Sequence, residues 1–176
     1  IVSDVMPARP RPFEELATSH RVEVAHWLSE RPQITAAPDG IRRVLDRSLA
    51  DLATLRIDGD EGVVLAAGLP WHMTVVGREA LLAAWMMLPV DPRVAPATLR
   101  HLALHQATTY DPSTDAEPGK ILHEERQGVV ARRWHERYYG SVDSTPLFVM
   151  LLGETWKWSG DARLATELEP AARAAV

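Results

Sequence analysis

Apolar side chains recur at three- and four-residue steps in two segments near the N-terminus, and each series predicts one buried stripe on a helix. The first stripe is Phe13, Leu16, Ala17, His20, Val24, Trp27 and Leu28, and the second is Ile41, Val44, Leu45, Leu49, Leu52 and Leu55. Pro32 ends the first helix, and Asp39 and Gly40 precede the second. The short connection predicts a helical hairpin.

Two later segments, from Ala80 to Leu88 and from Leu147 to Leu152, are apolar on every side and predict helices that are buried all round. Each is followed by a helix with one polar face. Asp91 and Pro92 supply a cap and a first-turn proline for the first of these, and Asp161 caps the second. The apolar stripe of the first consists of Val94, Thr98, Leu99, Leu102 and Ala103.

The connecting segments carry weaker signals. Residues 58–71 contain three glycines and a proline around Val63 to Leu65, which predicts a loop with one short strand. Residues 108–142 show no sustained periodicity and far exceed the usual connection of roughly 4–6 residues. Loops of that length are usually functional or disordered.

The alternation of fully buried and half-buried helices predicts an all-α fold. Helices that lose both faces form an inner layer, and helices that keep one wet face form an outer layer, as in an α/α toroid built from helical hairpins. An irregular bundle with two central helices is the alternative that the periodicity leaves open.

The composition narrows the functional classes. The chain of 176 residues has 46% hydrophobic residues, no cysteine and a formal charge of −5, which fits one globular domain and excludes disulfides, thiolate metal sites and cysteine nucleophiles. The acidic pI of about 5.8 argues against nucleic acid as a partner. No segment resembles a signal peptide or a membrane span, so we expect a cytoplasmic protein without membrane contact.

Polar residues stand at the N-terminal ends of the two fully buried helices, and these ends would share one rim of a toroid. Trp71, Arg78 and Glu79 lie at one end, and Tyr139 and Asp143 lie at the other. Aromatic faces for stacking, together with charged groups that bond hydroxyls in pairs, predict a sugar site. A structural role also fits two of them, Glu79 as a charge at a helix N-terminus and Asp143 as a helix cap.

Histidines form a second candidate group. His101 and His105 stand four residues apart on one predicted helix, and His123 precedes Glu124 in the long loop. Such residues can bind zinc, but Leu102 follows His101 where the hydrolytic zinc motif has glutamate. We therefore expect these histidines to flank a solvated helix face, and we expect no metal and no other cofactor.

Three motifs occur in order along the chain. They are Ala66-Ala67-Gly68-Leu69-Pro70-Trp71 followed by Gly77-Arg78-Glu79, then Asp115-Ala116-Glu117-Pro118-Gly119-Lys120-Ile121-Leu122-His123-Glu124, and then Tyr138-Tyr139-Gly140-Ser141-Val142-Asp143-Ser144-Thr145-Pro146-Leu147-Phe148. In their order and spacing, from about Phe13 to the end, the chain resembles the bacterial amylo-α-1,6-glucosidase (glycogen-debranching-like) family of glycoside hydrolases.

The resemblance implies a six-hairpin α/α toroid and the inverting hydrolysis of α-glucosidic bonds, with an α-glucoside or a short α-glucan as the ligand. The residues that it assigns to the glucose pocket are Trp71, Arg78, Glu79, His123, Glu124, Tyr139 and Asp143. It also implies that residues 1–12 are a linker from a preceding β-rich domain and that residues 13–176 are a partial toroid domain.

The chain departs from the family pattern in two ways. The family sequence Gly-Arg-Asp-Ser is replaced by Gly77-Arg78-Glu79-Ala80, which moves a carboxylate about one bond further into the pocket. The family's general acid and base lie beyond the position matching Val176, so the catalytic residues stay unassigned. The six predicted helices make three hairpins, about half of a toroid, and we expect self-association or a missing C-terminal half to cover the open flanks.

Two other functions remain open from the sequence. One is a catalytically silent helical module that binds sugar or a partner protein. The other is a purely structural helical bundle, which would show no thermal stabilisation by glucosides.

Overall fold

The computed structural model of the chain describes residues 12–32 and 38–176. The chain divides into two compact units, residues 1–54 and 55–176. The predicted linker over residues 1–12 falls almost entirely outside the described residues. Among the described helices, none is long and apolar enough to cross a membrane.

The first unit contains two helices, α1 (Phe13–Ser29) and α2 (Asp39–Ala53), which contact each other as the hairpin prediction requires. Trp27 is buried, and the guanidinium of Arg31 lies 4.3 Å from the centre of its ring. Phe13, at the start of the predicted stripe, is exposed instead.

The second unit begins with an antiparallel hairpin of β1 (Arg56–Gly59) and β2 (Gly62–Leu65), joined by a two-residue turn. Val64 and Leu65 of β2 are buried in the core. The prediction of a single strand in this region is wrong. β1 reads Arg-Ile-Asp-Gly, which has one apolar residue and therefore no alternation that could be detected.

Helices make up most of the second unit. They are α3 (Gly77–Met87), α4 (Val94–Leu104), the short α5 (Gly128–Arg133), α6 (Ser144–Ser159) and α7 (Ala162–Ala174). α3 and α7 each pack against both α4 and α6. Leu81, Leu99 and Phe148 are fully buried in this core.

The two helices predicted to be buried all round each keep an exposed edge, so that prediction is wrong. Met86 of α3 is 77% exposed, and Met150 of α6 is 50% exposed. The physical reason is that neighbouring helices cover only part of the circumference of α3 and α6, so some of their apolar side chains are left uncovered.

The helix ends are partly as predicted. Asp161 caps α7, because its side chain accepts a hydrogen bond of 2.9 Å from a backbone N–H of the first turn. Gly160 ends α6 in the left-handed conformation, with φ of 69°. The cap predicted from Asp91 is wrong, because α4 begins only at Val94 with Arg93 as its N-cap, and the Asp91 carboxylate binds the backbone N–H and the side chain of Arg93 before the helix.

The long segment predicted as a loop contains regular structure. β3 (Glu124–Glu125) pairs antiparallel with β4 (Arg137–Tyr138), and α5 lies between them in sequence. The described chain is therefore mostly helical, as predicted, with two small two-stranded sheets that the helical pattern did not indicate.

Candidate functional site

The loop between β2 and α3 presents Trp71 to solvent. Backbone hydrogen bonds of 3.0 and 2.8 Å between Gly68 and His72 close a tight turn that contains a cis peptide bond before Pro70. Trp71 lies in this turn and is 87% exposed. The indole therefore has a face on which a ligand can stack.

The first turn of α3 places Arg78 between two carboxylates. Its Nη2 donates to Glu79 Oε1 and its Nη1 to Asp143 Oδ2, both at 3.1 Å. Because Asp143 immediately precedes α6, this ion pair joins the N-terminal ends of α3 and α6.

Asp143 is engaged by its neighbours rather than by the helix that follows it. Its pKa is lowered, mainly by a hydrogen bond from the Ser141 hydroxyl, with Arg78 adding to the effect. Asp143 occupies the N-cap position of α6, as the alternative predicted, but its side chain makes no capping hydrogen bond with the helix.

Gly77 allows the segment before β3 to lie directly against the start of α3. Its N–H donates to the carbonyl oxygen of His123 at 2.7 Å. A Cβ at this position would collide with the carbonyl oxygen of Leu122 and lie 2.9 Å from Ser144 Oγ. The absence of a side chain thus lets His123 and Glu124 lie beside the first turn of α3, where the hydrogen bond from Gly77 holds them.

These elements border a cavity of about 350 Å³, which we call the Trp71 cleft. Its polar and aromatic lining residues are Trp71, His72, Arg78, Glu79, His123 and Glu124. The volume falls within the range of small-molecule sites, roughly 300–1,000 Å³. Five of the seven predicted pocket residues line the cleft, and Asp143 is attached to it through Arg78.

The cleft contains both paired charges and polar atoms without partners. Glu124 Oε2 accepts a hydrogen bond of 2.6 Å from Arg126 Nη2. In contrast, Glu79 Oε2 and His123 Nδ1 are buried and have no hydrogen-bond partner among the described residues. Burying such an atom unsatisfied costs about 1–3 kcal/mol, and because both atoms are closed off from solvent, a ligand hydroxyl reaches them only after the side chains turn toward the cleft.

A second cavity, of about 410 Å³, shares His123 and Glu124 with the Trp71 cleft. Trp134 and Tyr138 also line this cavity. Trp134 is 69% exposed, and the guanidinium of Arg126 lies 4.4 Å from the centre of its ring. Sequence reasoning missed this second aromatic surface because Trp134 lies in the segment without periodicity.

Tyr139, predicted to line the glucose pocket, does not line the Trp71 cleft. Its hydroxyl donates to the carbonyl oxygen of His105 at 2.8 Å, whereas Tyr138 packs edge-on against His123 with ring centres 5.8 Å apart. Neighbouring residues of a strand point to opposite faces, and Glu124 pairs with Tyr138 across the small sheet. The sequence offers two adjacent tyrosines, and only the register of β4 distinguishes them.

The other face of the β3–β4 sheet meets the end of α4. His101 Nε2 lies 3.0 Å from Glu125 Oε2, and the ring centres of His101 and His105 are 4.6 Å apart. The expected solvated face is therefore wrong, because both histidines are half-buried and His101 binds a carboxylate. Burial lowers the pKa of His105, and the hydrogen bond with His101 is the main cause that lowers the pKa of Glu125.

Fold and site together define a mostly helical protein with an aromatic, charge-paired cleft at the N-terminal ends of two helices. Neither a protein-family model nor a curated protein matches this chain. Its function is therefore inferred from the chemistry of the Trp71 cleft and from the motifs that meet there.

Proposed function

We propose that residues 55–176 form the substrate-binding part of a glycoside hydrolase that acts on α-glucosidic bonds, with one glucosyl unit in the Trp71 cleft. The observation that carries this proposal is the convergence of two distant motifs on one cavity, through Trp71, Arg78, Glu79, His123 and Glu124. The resemblance to the amylo-α-1,6-glucosidase family supplies the reaction class, inverting hydrolysis.

The cleft suggests how a glucosyl unit binds. The sugar ring stacks on the exposed face of Trp71, and its hydroxyls bond to the side chains of Glu79 and His123, whose Oε2 and Nδ1 turn toward the cleft as the ligand binds. Arg78 holds the Glu79 carboxylate in place through Oε1. Because Arg78 is paired with two carboxylates, the cleft favours a neutral ligand. A second sugar unit would extend toward Trp134 in the neighbouring cavity.

The arrangement of helices supports a toroid as part of the same proposal. α3–α4 and α6–α7 are adjacent hairpins, with α3 against α6 and α4 against α7, as inner and outer helices of a toroid would be. Leu82 and Met86, one turn apart on α3, are 40% and 77% exposed. We propose that a further helical hairpin covers them, from a second copy or from the rest of the toroid.

A second candidate is a catalytically silent module that binds sugar. It is favoured by the state of the two carboxylates that line the cleft. Glu79 is bound by Arg78, and Glu124 is bound by Arg126. Inverting hydrolysis needs a carboxyl pair about 6.5–9.5 Å apart with space for water, and groups already bound to arginine are better suited to hold hydroxyls.

Calorimetric titration tests the shared binding step. We expect isomaltose and panose, which contain α-1,6 bonds, to bind the chain, and β-linked cellobiose to bind much more weakly. Trp71→Ala should weaken isomaltose binding about tenfold, equivalent to roughly 1.4 kcal/mol. Trp158→Ala is the matched control, because Trp158 is also exposed, at 58%, but lies on α6 outside the lining of the cleft. Equal affinities of the two variants would exclude the Trp71 cleft as the sugar site.

Product analysis separates the two candidates. The protein is purified as its native cell produces it and incubated with panose, and released glucose is followed by NMR. Release of glucose with inverted anomeric configuration supports the hydrolase, whereas binding without turnover supports the silent module.

A further inference from the structure

Three potential metal ligands lie on the face of the β3–β4 sheet opposite the Trp71 cleft. Within the described residues, His101, His105 and Glu125 each offer one ligand atom, and these atoms all lie within 4.8 Å of one another. None of the three lines the Trp71 cleft. The group is therefore independent of the glucosyl site.

α4 brings the two histidines together. His101 lies in its last turn and His105 directly follows its end, and a spacing of four residues puts both on one side of the helix. Nδ1 of His105 is buried and has no hydrogen-bond partner among the residues that the structure describes. This ring nitrogen lies inside the protein, next to another imidazole.

The backbone around β3 fixes the third ligand. The N–H of Glu125 donates to the carbonyl oxygen of Val75 at 2.9 Å, and its own carbonyl oxygen accepts from the hydroxyl of Thr74. The Glu125 side chain is only 13% exposed, with Oε2 3.0 Å from His101 Nε2 and Oε1 3.7 Å from Arg137 Nε. Arg137 is therefore an electrostatic neighbour of Oε1 beyond hydrogen-bond distance, and Oε2 is directed at the histidines.

The spacing of these atoms is close to that of a coordination sphere. Ligand atoms at about 2.0–2.1 Å from a tetrahedral zinc ion are roughly 3.3–3.4 Å apart. The pair His101 Nε2 and Glu125 Oε2 lies at 3.0 Å already. A pair at the 4.8 Å limit would have to close by roughly 1.5 Å to reach that geometry, which rotation of the side chains can supply.

We propose that His101, His105 and Glu125 bind a divalent transition-metal ion of the zinc class. Two imidazole nitrogens and one carboxylate oxygen suit zinc and its neighbours, whereas Ca²⁺ and Mg²⁺ prefer oxygen ligands alone. Three protein ligands leave a fourth position for water or a small ligand. His105 also lines a separate cavity of about 660 Å³.

Zinc titration of the chelator-treated chain is the first test. We expect calorimetry to show one Zn²⁺ per chain, with affinity reduced at least tenfold in His101→Ala and in Glu125→Gln. His26→Ala is the matched control, because His26 also lies beside a carboxylate, 3.6 Å from Glu30, but is an exposed pair with a single imidazole. Affinity that is unchanged in His101→Ala, or reduced equally in His26→Ala, would overturn the proposal.

A second measurement needs no substitution, so it does not depend on how the variants fold. Paramagnetic Co²⁺ replaces zinc in the wild-type chain, and the ring protons of its seven histidines are followed by NMR. We expect the signals of His101 and His105 to shift or broaden at one equivalent of Co²⁺, before those of the other five. Broadening of all histidines together would mean nonspecific binding and would refute the site.

Discussion

Replacing Gly77 by alanine tests the close approach on which the Trp71 cleft depends. The added methyl group would collide with the backbone carbonyl of Leu122, a residue that is itself fully buried and has no room to move. Overpacking of this kind costs about 1–3 kcal/mol. In an unobstructed helix interior, the same substitution stabilises by roughly 0.5–1 kcal/mol.

Gly153→Ala provides the matched control. Gly153 lies within α6, and a Cβ at this position would meet nothing within 4 Å. We therefore expect Gly153→Ala to stabilise the chain by about 0.5–1 kcal/mol and Gly77→Ala to destabilise it. The two substitutions are chemically identical, so the difference in sign isolates the effect of the Leu122 carbonyl.

Urea unfolding followed by circular dichroism measures both effects. With a slope of about 1–3 kcal/mol per molar urea, the midpoint for Gly77→Ala should fall by roughly 1 M. Because the Leu122 clash displaces the neighbouring residues His123 and Glu124, isomaltose binding should weaken as well. A Gly77→Ala variant as stable as the wild type would refute this account of the cleft.

Three further predictions follow from single contacts. Glu79→Ala should weaken isomaltose binding about tenfold in calorimetry, because it removes a carboxylate of the cleft, and should change urea stability little, because the Arg78–Glu79 ion pair that it also removes is partly exposed. Phe148→Ala should lower the free energy of unfolding by about 3–5 kcal/mol in urea titration, because this ring is fully buried. The native-state pKa of Asp143 lies below its usual value of 3.8, so its contribution is complete above that value and is lost as the pH falls through the native-state pKa. The stability difference between wild type and Asp143→Asn should therefore shrink in urea titrations from about pH 7 to about pH 3.

The helices could be predicted from the sequence because their signals are local. Asp161 lies where a cap is needed, and Gly160 adopts the left-handed conformation that ends α6. The proximity of Arg78 and Asp143 could also be predicted, because each lies at the N-terminal end of a helix and the two helices are expected to be neighbours. In the structure the two side chains form an ion pair of 3.1 Å.

The remaining features depend on long-range pairing, which leaves no local pattern. β3 and β4 have two residues each, too short for alternation to appear, and their register decides that Tyr138 faces the cavity beside the cleft. The same register turns Glu125 toward His101. The sequence predicts that the two histidines lie on one side of a helix, but it does not predict that the Glu125 carboxylate contacts His101.

The two adjacent glutamates of β3 affect how the register of the β3–β4 sheet is specified. Shifting a strand by one residue normally exchanges its inward and outward side chains. In this sheet, such a shift in β3 would keep a glutamate at one of the two paired positions and would bring His123 or Arg126 to the other. Main-chain bonds such as the one from His123 to Tyr138 also fix the alignment, and Gly140 allows it, because any Cβ at that position would strike the Tyr138 ring. The geometry of the site thus also depends on a glycine that contacts no ligand in either proposal.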